Sequence, residues 1–406
     1  MLGLVPGMPS FIFLTLGIAA GLAGYFLSKS ADKKIAEAAN DVSEAIKEND
    51  VNKEELNWDD VDQVDLVGLD IGYGLIPLVN PETGGQLLPR VKGVRKKLSA
   101  ELGFLVQPIR IRDNLDLEPD VYNIVMNGVI RGKGEIKIGQ ELAINPGQVH
   151  GSLEGTPTKE PAFGLDAVWI DPAQRDYART LGYTVVDPAT AIATHLNTLL
   201  RNNASELISH DETQQLLDKV AERSPKLVED LVPEKLSLAT ITKVLQNILD
   251  ESVSVRDMRT ILEVLSTESS RTQDVEELTA AVRPKLGRMI VQGLVDVDDN
   301  LPVMTLNPAL EQMLNNILQQ SGSSQGLVIE PKLAESLISA LAKNTREIED
   351  QGSAAVLVVS PTLRPWLSKF IRHRLSDLTV LSYSEIPDDQ AVDVVATIDV
   401  DPSNEQ

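Results

Sequence analysis

The first 27 residues contain no Asp, Glu, Lys, Arg or His. Residues 11–27, FIFLTLGIAAGLAGYFL, are apolar apart from one threonine and the glycines, and with the preceding LGLVPGMPS they reach the roughly 20 residues that span hydrocarbon. Three lysines follow directly, which places the later chain in the cytoplasm by the positive-inside rule: Lys29, Lys33 and Lys34. We predict a transmembrane helix over 1–27. A cleaved signal peptide is the alternative, but it requires positive charge before the apolar run.

Composition excludes several classes of function for the rest of the chain. At about 150 residues per domain, 406 residues predict two to four domains. The 37 Lys and Arg against 60 Asp and Glu give a net charge of −23, which argues against a broad nucleic-acid or anionic-membrane surface. There is no Cys, and the four His are scattered, so neither a thiolate metal site nor a histidine cluster is expected.

Residues 28–65 are predicted to be an acidic linker. They are rich in carboxylates and poor in large apolar residues, so they cannot bury a core alone. Their one aromatic side chain is Trp58, which lies between Glu55 and Asp60. Trp58 either packs on its own domain or docks on a neighbouring subunit.

From Leu66 the sequence alternates between strand and helix patterns and predicts an α+β multidomain fold. A strand with glycine turns is expected within 64–78, and further strands at 105–112, 120–132 and 134–144, with the turn segment Gly132–Gly134 separating the last two. Short βαβα elements over 167–203 predict a small α/β subdomain beside or inserted in the first. Residues 205–287 show helical periodicity only, with helix-start signals at Ser254 and Asp257 and at Asp274 and Glu277. From 288 the alternation returns and predicts a terminal α/β domain.

No motif requires an enzyme. Gly128–Glu135, GVIRGKGE, superficially resembles a phosphate loop, but its spacing is one residue short and its lysine is followed by glycine, so we predict a hairpin. His195 has no hydrolase or metalloprotease motif to partner it and is expected to be buried and hydrogen-bonded. We predict no cofactor, no metal and no nucleic-acid partner.

The segment EPAFG, Glu160–Gly164, follows a Pro- and Gly-rich loop. An aromatic side chain with a polar rim is typical of a docking cleft, so Phe163 is either a partner anchor or a filler of a local core.

Several long blocks resemble one family. LVPEKLSLATITKVLQNILDESVSVRDMRTILEVL at 231–265 closely resembles the cytoplasmic part of the FlhA family of flagellar type III export gate proteins, which share a family with virulence export gates. LGLVPGMPSFIFL resembles its last transmembrane helix. LDIGYGLIPLV, GVRKKLSAELGF, EPAFGL, GYTVVDPATAIATHL and LRPWL resemble successive blocks in the same order. The likeness covers essentially the whole chain.

The resemblance implies a bacterial inner-membrane protein whose cytoplasmic part forms a nine-membered ring. The ring receives export chaperones with their substrates and takes part in switching substrate specificity. Further implied partners are the export ATPase complex and the specificity-switch protein. We expect the chain to be the C-terminal part of a longer membrane protein. Alternatives are a virulence-associated gate, a nucleotide hydrolase that energises export, and a ring that contacts no substrate.

The resemblance also implies a linker and four subdomains. Their expected ranges are 66–138 with 188–207 for the first, 139–187 for the inserted second, 208–287 for the helical third and 288–406 for the fourth.

Seven residues match functional positions of the family. Glu160, Phe163 and Thr194 match its chaperone-docking cleft, where Glu160 replaces a common Asp and is expected to orient the ligand. Linker contacts to the adjacent subunit match the residues Glu55, Trp58 and Asp60. Gly72, in the first strand, matches a position sensitive to substitution, which we attribute to the conformational freedom of glycine.

Overall fold

The described part of the chain contains three four-stranded sheets, with a helical region between the second and the third. The computed structural model describes residues 64–400 except 297 and 322–328. The predicted transmembrane helix at 1–27 and almost all of the predicted linker, including Glu55, Trp58 and Asp60, lie outside the described residues. Within the described part, no helix is both long and apolar enough to cross a bilayer.

The first sheet is mixed. Its strands lie in the order β2-β1-β3-β4, and only β1 and β2 are parallel. One face of the helix α2 is buried and carries Leu87, Val91, Leu98 and Leu102, at spacings of four and seven positions. The elements of this part are β1 (Val67–Ile71), α1 (Ile76–Val79), α2 (Leu87–Leu102), β2 (Arg110–Asp113), β3 (Val121–Met126) and β4 (Val129–Glu135).

The hairpin predicted at GVIRGKGE is confirmed, but the turn predicted at Gly132–Gly134 is wrong. The chain reverses at Asn127 and Gly128, whose φ angles are 50° and 77°, as a two-residue Asn-Gly hairpin loop requires. Gly132 and Gly134 lie inside β4. A Cβ on Gly132 would approach the His195 ring to 2.9 Å, and one on Gly134 would approach the Tyr122 ring to 2.6 Å. These glycines therefore allow rings to pack closely on the strand.

The second sheet is antiparallel throughout, in the order β6-β7-β5-β8. The alternation of strand and helix led us to predict a small α/β unit. The alternation is present, but β5 lies between β7 and β8 and pairs antiparallel with both, so the β7-helix-β8 segment forms no adjacent parallel pair. The elements are β5 (Glu141–Ile144), β6 (Thr156–Lys159), β7 (Asp166–Ile170), α3 (Arg175–Thr180) and β8 (Thr184–Val186).

Among the described residues between Val186 and Leu301 there is no strand, as the helical periodicity predicted. Asp274 caps its helix by accepting from the N–H groups of Glu276 and Glu277. Asp257, rather than Ser254, caps the preceding helix. The helices are α4 (Pro188–Asn202), α5 (His210–Ala221), α6 (Pro225–Glu229), α7 (Leu238–Asp250), α8 (Met258–Glu268) and α9 (Val275–Gln292).

The third sheet is wholly parallel, in the order β11-β10-β9-β12, as alternating strands and helices predict. Both faces of its central strands are covered: Val356 and Val358 join the core of the helical region, whereas Leu357 and Val359 pack in a second core. The elements are β9 (Leu301–Leu306), α10 (Pro308–Ser321), α11 (Pro331–Glu349), β10 (Val356–Val359), α12 (Arg364–Ile371), β11 (Thr379–Ser382) and β12 (Val392–Ile398).

Gly72 follows β1 rather than lying in it, and the reason we gave for glycine there is wrong. Its φ of −67° and ψ of 157° are open to any residue. The constraint is space, because a Cβ would lie 2.1 Å from the carbonyl oxygen of Glu118. The N–H of Gly72 donates to Val121 O at 2.8 Å, which holds the two backbone segments together.

Gly72→Ala should destabilise the protein by at least about 1–3 kcal/mol, because the added methyl group forces two backbone segments apart. Gly93→Ala is the matched control: its Cβ would meet nothing within 4 Å, and alanine in α2 should stabilise by about 0.5–1 kcal/mol. Urea unfolding of the parent and both variants measures the difference. Equal effects in the two variants would contradict the steric explanation.

Candidate docking site

Phe163 lies at the tip of a tight turn between β6 and β7, with its side chain in solvent. The residue is 65 % exposed, and Leu165 beside it is 41 % exposed. This exposure removes the alternative that Phe163 fills a local core. An apolar surface held outward on a turn is the arrangement expected of a partner anchor.

The carboxylate of Glu160 binds the backbone of this turn. Glu160 is only 2 % exposed. Its Oε1 accepts from the N–H of Ala162 at 2.9 Å, and its Oε2 accepts from the N–H of Phe163 at 2.7 Å. That Glu160 orients the ligand stays a prediction, and the hydrogen bonds in the structure show that it fixes the backbone of Phe163.

Backbone hydrogen bonds close the same turn. The N–H of Gly164 donates to Glu160 O at 2.9 Å, and the N–H of Glu160 donates to Leu165 O at 2.8 Å. Gly164 has a φ of 70°, in the left-handed region that favours glycine. Both ends of the turn are therefore tied together, and Phe163 is presented on a rigid support.

Two buried aromatic side chains, Tyr122 on β3 and His195 on α4, contact each other. Tyr122 Oη and His195 Nδ1 are 2.8 Å apart, as a buried and hydrogen-bonded histidine requires. Their rings meet edge to face, with centroids 5.8 Å apart. Burial raises the pKa of Tyr122, and the charge of Glu160 raises it further. Burial lowers the pKa of His195, and the same carboxylate partly opposes that shift.

Thr194 is half-buried on α4, immediately before His195. Of the three predicted cleft residues, Glu160 and Phe163 share the turn between β6 and β7, and Thr194 lies on α4. The N-cap of α4 is Asp187, which accepts from Arg90 of α2 at 2.7 Å and so ties the two helices together.

Tyr122 was not singled out by sequence. Its only signal is its cross-strand pairing with Gly134, which is visible once the hairpin register is known. Gly72 lies at a packing position of the first sheet and not in the turn. Among the described residues, no group of three or more His, Asp or Glu side chains could hold a metal ion.

Known proteins resemble this chain over most of its length. A family model described as the FHIPEP family matches residues 1–391. The flagellar biosynthesis protein FlhA of Escherichia coli K12 is 44 % identical over 405 residues, which cover 98 % of this chain and 56 % of that protein. The chain therefore spans about half the length of such relatives.

Solved structures resemble the fold at lower identity. The Chlamydia pneumoniae CdsV and CdsO protein complex matches with a TM-score of 0.72 and 23 % identity, over 84 % of this chain and 99 % of that one. The nonameric EPEC SctV-C matches with a TM-score of 0.67 and 22 % identity, over 83 % of this chain and 99 % of that one. At this identity the likeness supports the fold alone.

The lowered pKa of His195 predicts a pH-dependent stability. The unfolded histidine binds a proton near pH 6.5, whereas the folded one binds it only at lower pH. The stabilisation is therefore complete above about pH 6.5 and declines as the pH falls through the folded pKa. In urea unfolding at pH 7.5, 6.5 and 5.5, His195→Asn should reduce the loss of stability on acidification. A parent and a variant with identical pH dependence would contradict this.

Proposed function

The chain belongs to the FHIPEP family, as its sequence blocks predicted, and we propose that it is the ring-forming cytoplasmic part of a flagellar type III protein export gate. In this role it docks export chaperones with their substrates and takes part in substrate-specificity switching. Residues 1–27 anchor it in the bacterial inner membrane. The flagellar assignment is supported by a relative at 44 % identity that is named a flagellar biosynthesis protein.

The exposed Phe163 is the observation that carries the docking proposal. A phenyl ring held in solvent by a closed turn has little conformational entropy left to lose when a partner covers it. Leu165 extends the apolar surface, and Thr194 contributes a polar rim. The partner is an apolar segment of a chaperone, and Glu160 contributes by fixing the turn.

The division into four subdomains is part of the same proposal. The range 139–187 contains the second sheet, and 66–138 with 188–207 contains the first sheet and α4. The docking turn then belongs to the inserted subdomain, and Thr194 belongs to the first. A chaperone that contacts both would sense their relative position.

The ring is supported by the linker sequence. Trp58 between Glu55 and Asp60 is an aromatic anchor with charged neighbours, and it docks on the adjacent subunit in this proposal. A related fold is described as the nonameric EPEC SctV-C, and another as a complex of CdsV with CdsO. Repeated sites around a ring raise the effective affinity for a chaperone. The export ATPase complex and the specificity-switch protein are the further proposed partners.

Three alternatives are less well supported. The export-gate structures of secretion systems share 22–23 % of their residues with this chain, against 44 % for the flagellar relative. The Gly128–Glu135 segment begins at the hairpin turn and runs along β4, without the strand-to-helix cradle of a phosphate loop, which argues against a nucleotide hydrolase. A ring that contacts no substrate would leave Phe163 without a role.

Phe163→Ala should weaken binding of a chaperone–substrate complex about 30-fold, as expected for a hot spot worth about 2 kcal/mol. Circular dichroism and melting should not change, because the ring is exposed. Isothermal titration calorimetry measures the affinity. Tyr383→Ala, which removes a 51 % exposed ring from the terminal domain, should leave it unchanged. Unaltered affinity in Phe163→Ala would refute the docking site.

Trp58→Ala should reduce the population of nine-membered rings, because the burial of an indole at a subunit contact contributes a few kcal/mol. Chemical cross-linking and sedimentation velocity measure the ring fraction. Glu44→Ala, a linker change outside the proposed contact, is the control. The same ring fraction in both variants would assign Trp58 to local packing.

A further inference from the structure

The terminal α/β domain is attached to the helical region by a row of ion pairs. Five of the ion pairs between described residues cross the seam between these two parts: Arg283–Glu385, Arg364–Glu251, Lys369–Glu276, Arg372–Asp250 and Arg288–Asp389. In the last three pairs, both side chains are partly or largely exposed to solvent. Exposed ion pairs contribute little net stability and are screened by salt, so this part of the attachment is weak and sensitive to ionic strength.

The other two pairs belong to a buried cluster whose charges divide evenly between the two parts. Arg283 and Glu251 both belong to the helical region and contact each other at 2.6 Å. Arg364 and Glu385 both belong to the terminal domain and contact each other at 3.5 Å. Removing one partner of a buried pair is costly because it leaves an uncompensated charge. When this seam opens, each side keeps one complete pair, so the cluster permits separation without that cost.

Polar side chains line the space between α12 and the helical region. A cavity of about 30 Å³ lies there, which is large enough for a water molecule. Its lining includes Asn247, Thr279 and Ser368 in addition to charged residues. The buried apolar residues Leu367 and Ile371 of α12 pack instead in the core of the terminal domain. Separating α12 from the helical region therefore exposes little apolar surface, and the hydrophobic effect opposes it only weakly.

The helix α9 lines the same seam and contains a proline in its interior. Pro284 has no N–H, so the carbonyl of Ala280 lacks the donor that a regular helix supplies four residues later. Proline in a helix interior is a common site of bending. Before this point, α9 contacts the terminal domain through Arg283 and through Glu276, which pairs with Lys369. The helix is therefore weakest directly after its last contact of this kind.

Beyond Pro284, α9 is joined closely to the terminal domain. A Cβ on Gly287 would lie 2.1 Å from the carbonyl oxygen of Glu385, so the two backbones are in contact there. Arg288 donates two hydrogen bonds to the carboxylate of Asp389, at 2.9 and 3.0 Å. The part of α9 beyond the proline is thus bound to the terminal domain, whereas the part before it belongs to the helical region.

We propose that the terminal domain turns about Pro284, and that the pairs Lys369–Glu276 and Arg372–Asp250 form a salt-sensitive latch that holds it closed. In the turned state, α12 separates from the helical region and the buried cluster divides into its two complete Arg–Glu pairs. The part of α9 beyond Pro284 moves with the terminal domain. This conformational device does not depend on the proposed docking function.

Distance measurements between spin labels on the full chain test the proposal. The chain contains no cysteine, so labels can be attached at chosen positions alone. Lys243→Cys on α7 and Ser339→Cys on α11 are both exposed and report the separation of the two parts by double electron–electron resonance. We expect a main distance and a minor second one, whose fraction rises about threefold between 0.05 and 0.5 M NaCl, because salt screens the latch. One distance that salt does not change would overturn the proposal.

Charge reversal in the labelled chain tests the latch. Lys369→Glu puts like charges beside each other and should raise the fraction of the second distance about fivefold. Adding Glu276→Lys restores opposite charges and should return the fraction to that of the parent. Arg288→Glu is the matched control, because it places like charges at Asp389 in the same seam but beyond the hinge, and it should leave the fraction unchanged. An equal rise in both single variants would overturn the hinge at Pro284.

Pro284→Ala tests the hinge itself. Alanine supplies the missing N–H to the carbonyl of Ala280 and stiffens α9, so it should lower the fraction of the second distance at 0.5 M NaCl at least about threefold. The melting temperature should rise in any case, because alanine favours a helix more than proline does. A higher melting temperature with an unchanged fraction would show that Pro284 affects stability alone and would overturn the proposal.

Discussion

One continuous apolar core contains buried side chains of the helical region and of one face of each sheet. The placement of the other parts of the structure depends on it. Leu142 and Trp169 enter it from the second sheet, and Val303 and Val358 enter it from the third. Because successive side chains of a strand point to opposite faces, the residues next to these in sequence lie on the other face, where they pack in smaller cores or contact solvent. The strand β7, whose start follows the Phe163 turn, is anchored in this way by Trp169, which is 2 % exposed.

Three buried charges and one partly buried charge join the helical region to the terminal sheet. Arg283 on α9 contacts Glu251 at 2.6 Å and Glu385 at 2.8 Å, and Arg364 on α12 contacts the same two carboxylates. A buried ion pair contributes little net stability but penalises any arrangement that separates its members. Gly287 lets the backbone of Glu385 approach α9 closely. The cluster therefore specifies how the terminal sheet sits on the helices.

Much of the fold followed from periodicity and turn chemistry. Ile248 is buried because it lies on the apolar face of its helix, and Asp274 caps the helix that it precedes. The parallel terminal sheet is typical of a sequence in which strands and helices alternate. Glycine was the recurrent source of error. Gly132 reads as a turn residue because glycine is common in turns, whereas here it lies in a strand beneath a ring. The sequence shows that a glycine has no side chain, but it does not show which neighbouring group fills the space beside it.

For the site, the sequence alone selected Glu160, Phe163 and His195, and the family resemblance added Thr194. An aromatic residue in a Pro- and Gly-rich loop, three positions after an acid, is a local pattern, and so is a lone histidine in an apolar helix. The direction of each side chain was decided by the tertiary structure, because Phe163 is exposed and Glu160 buried only when β6 and β7 pair and close the turn. The contact of Tyr122 with His195 joins residues 73 positions apart, and only the packing of β3 against α4 brings them together.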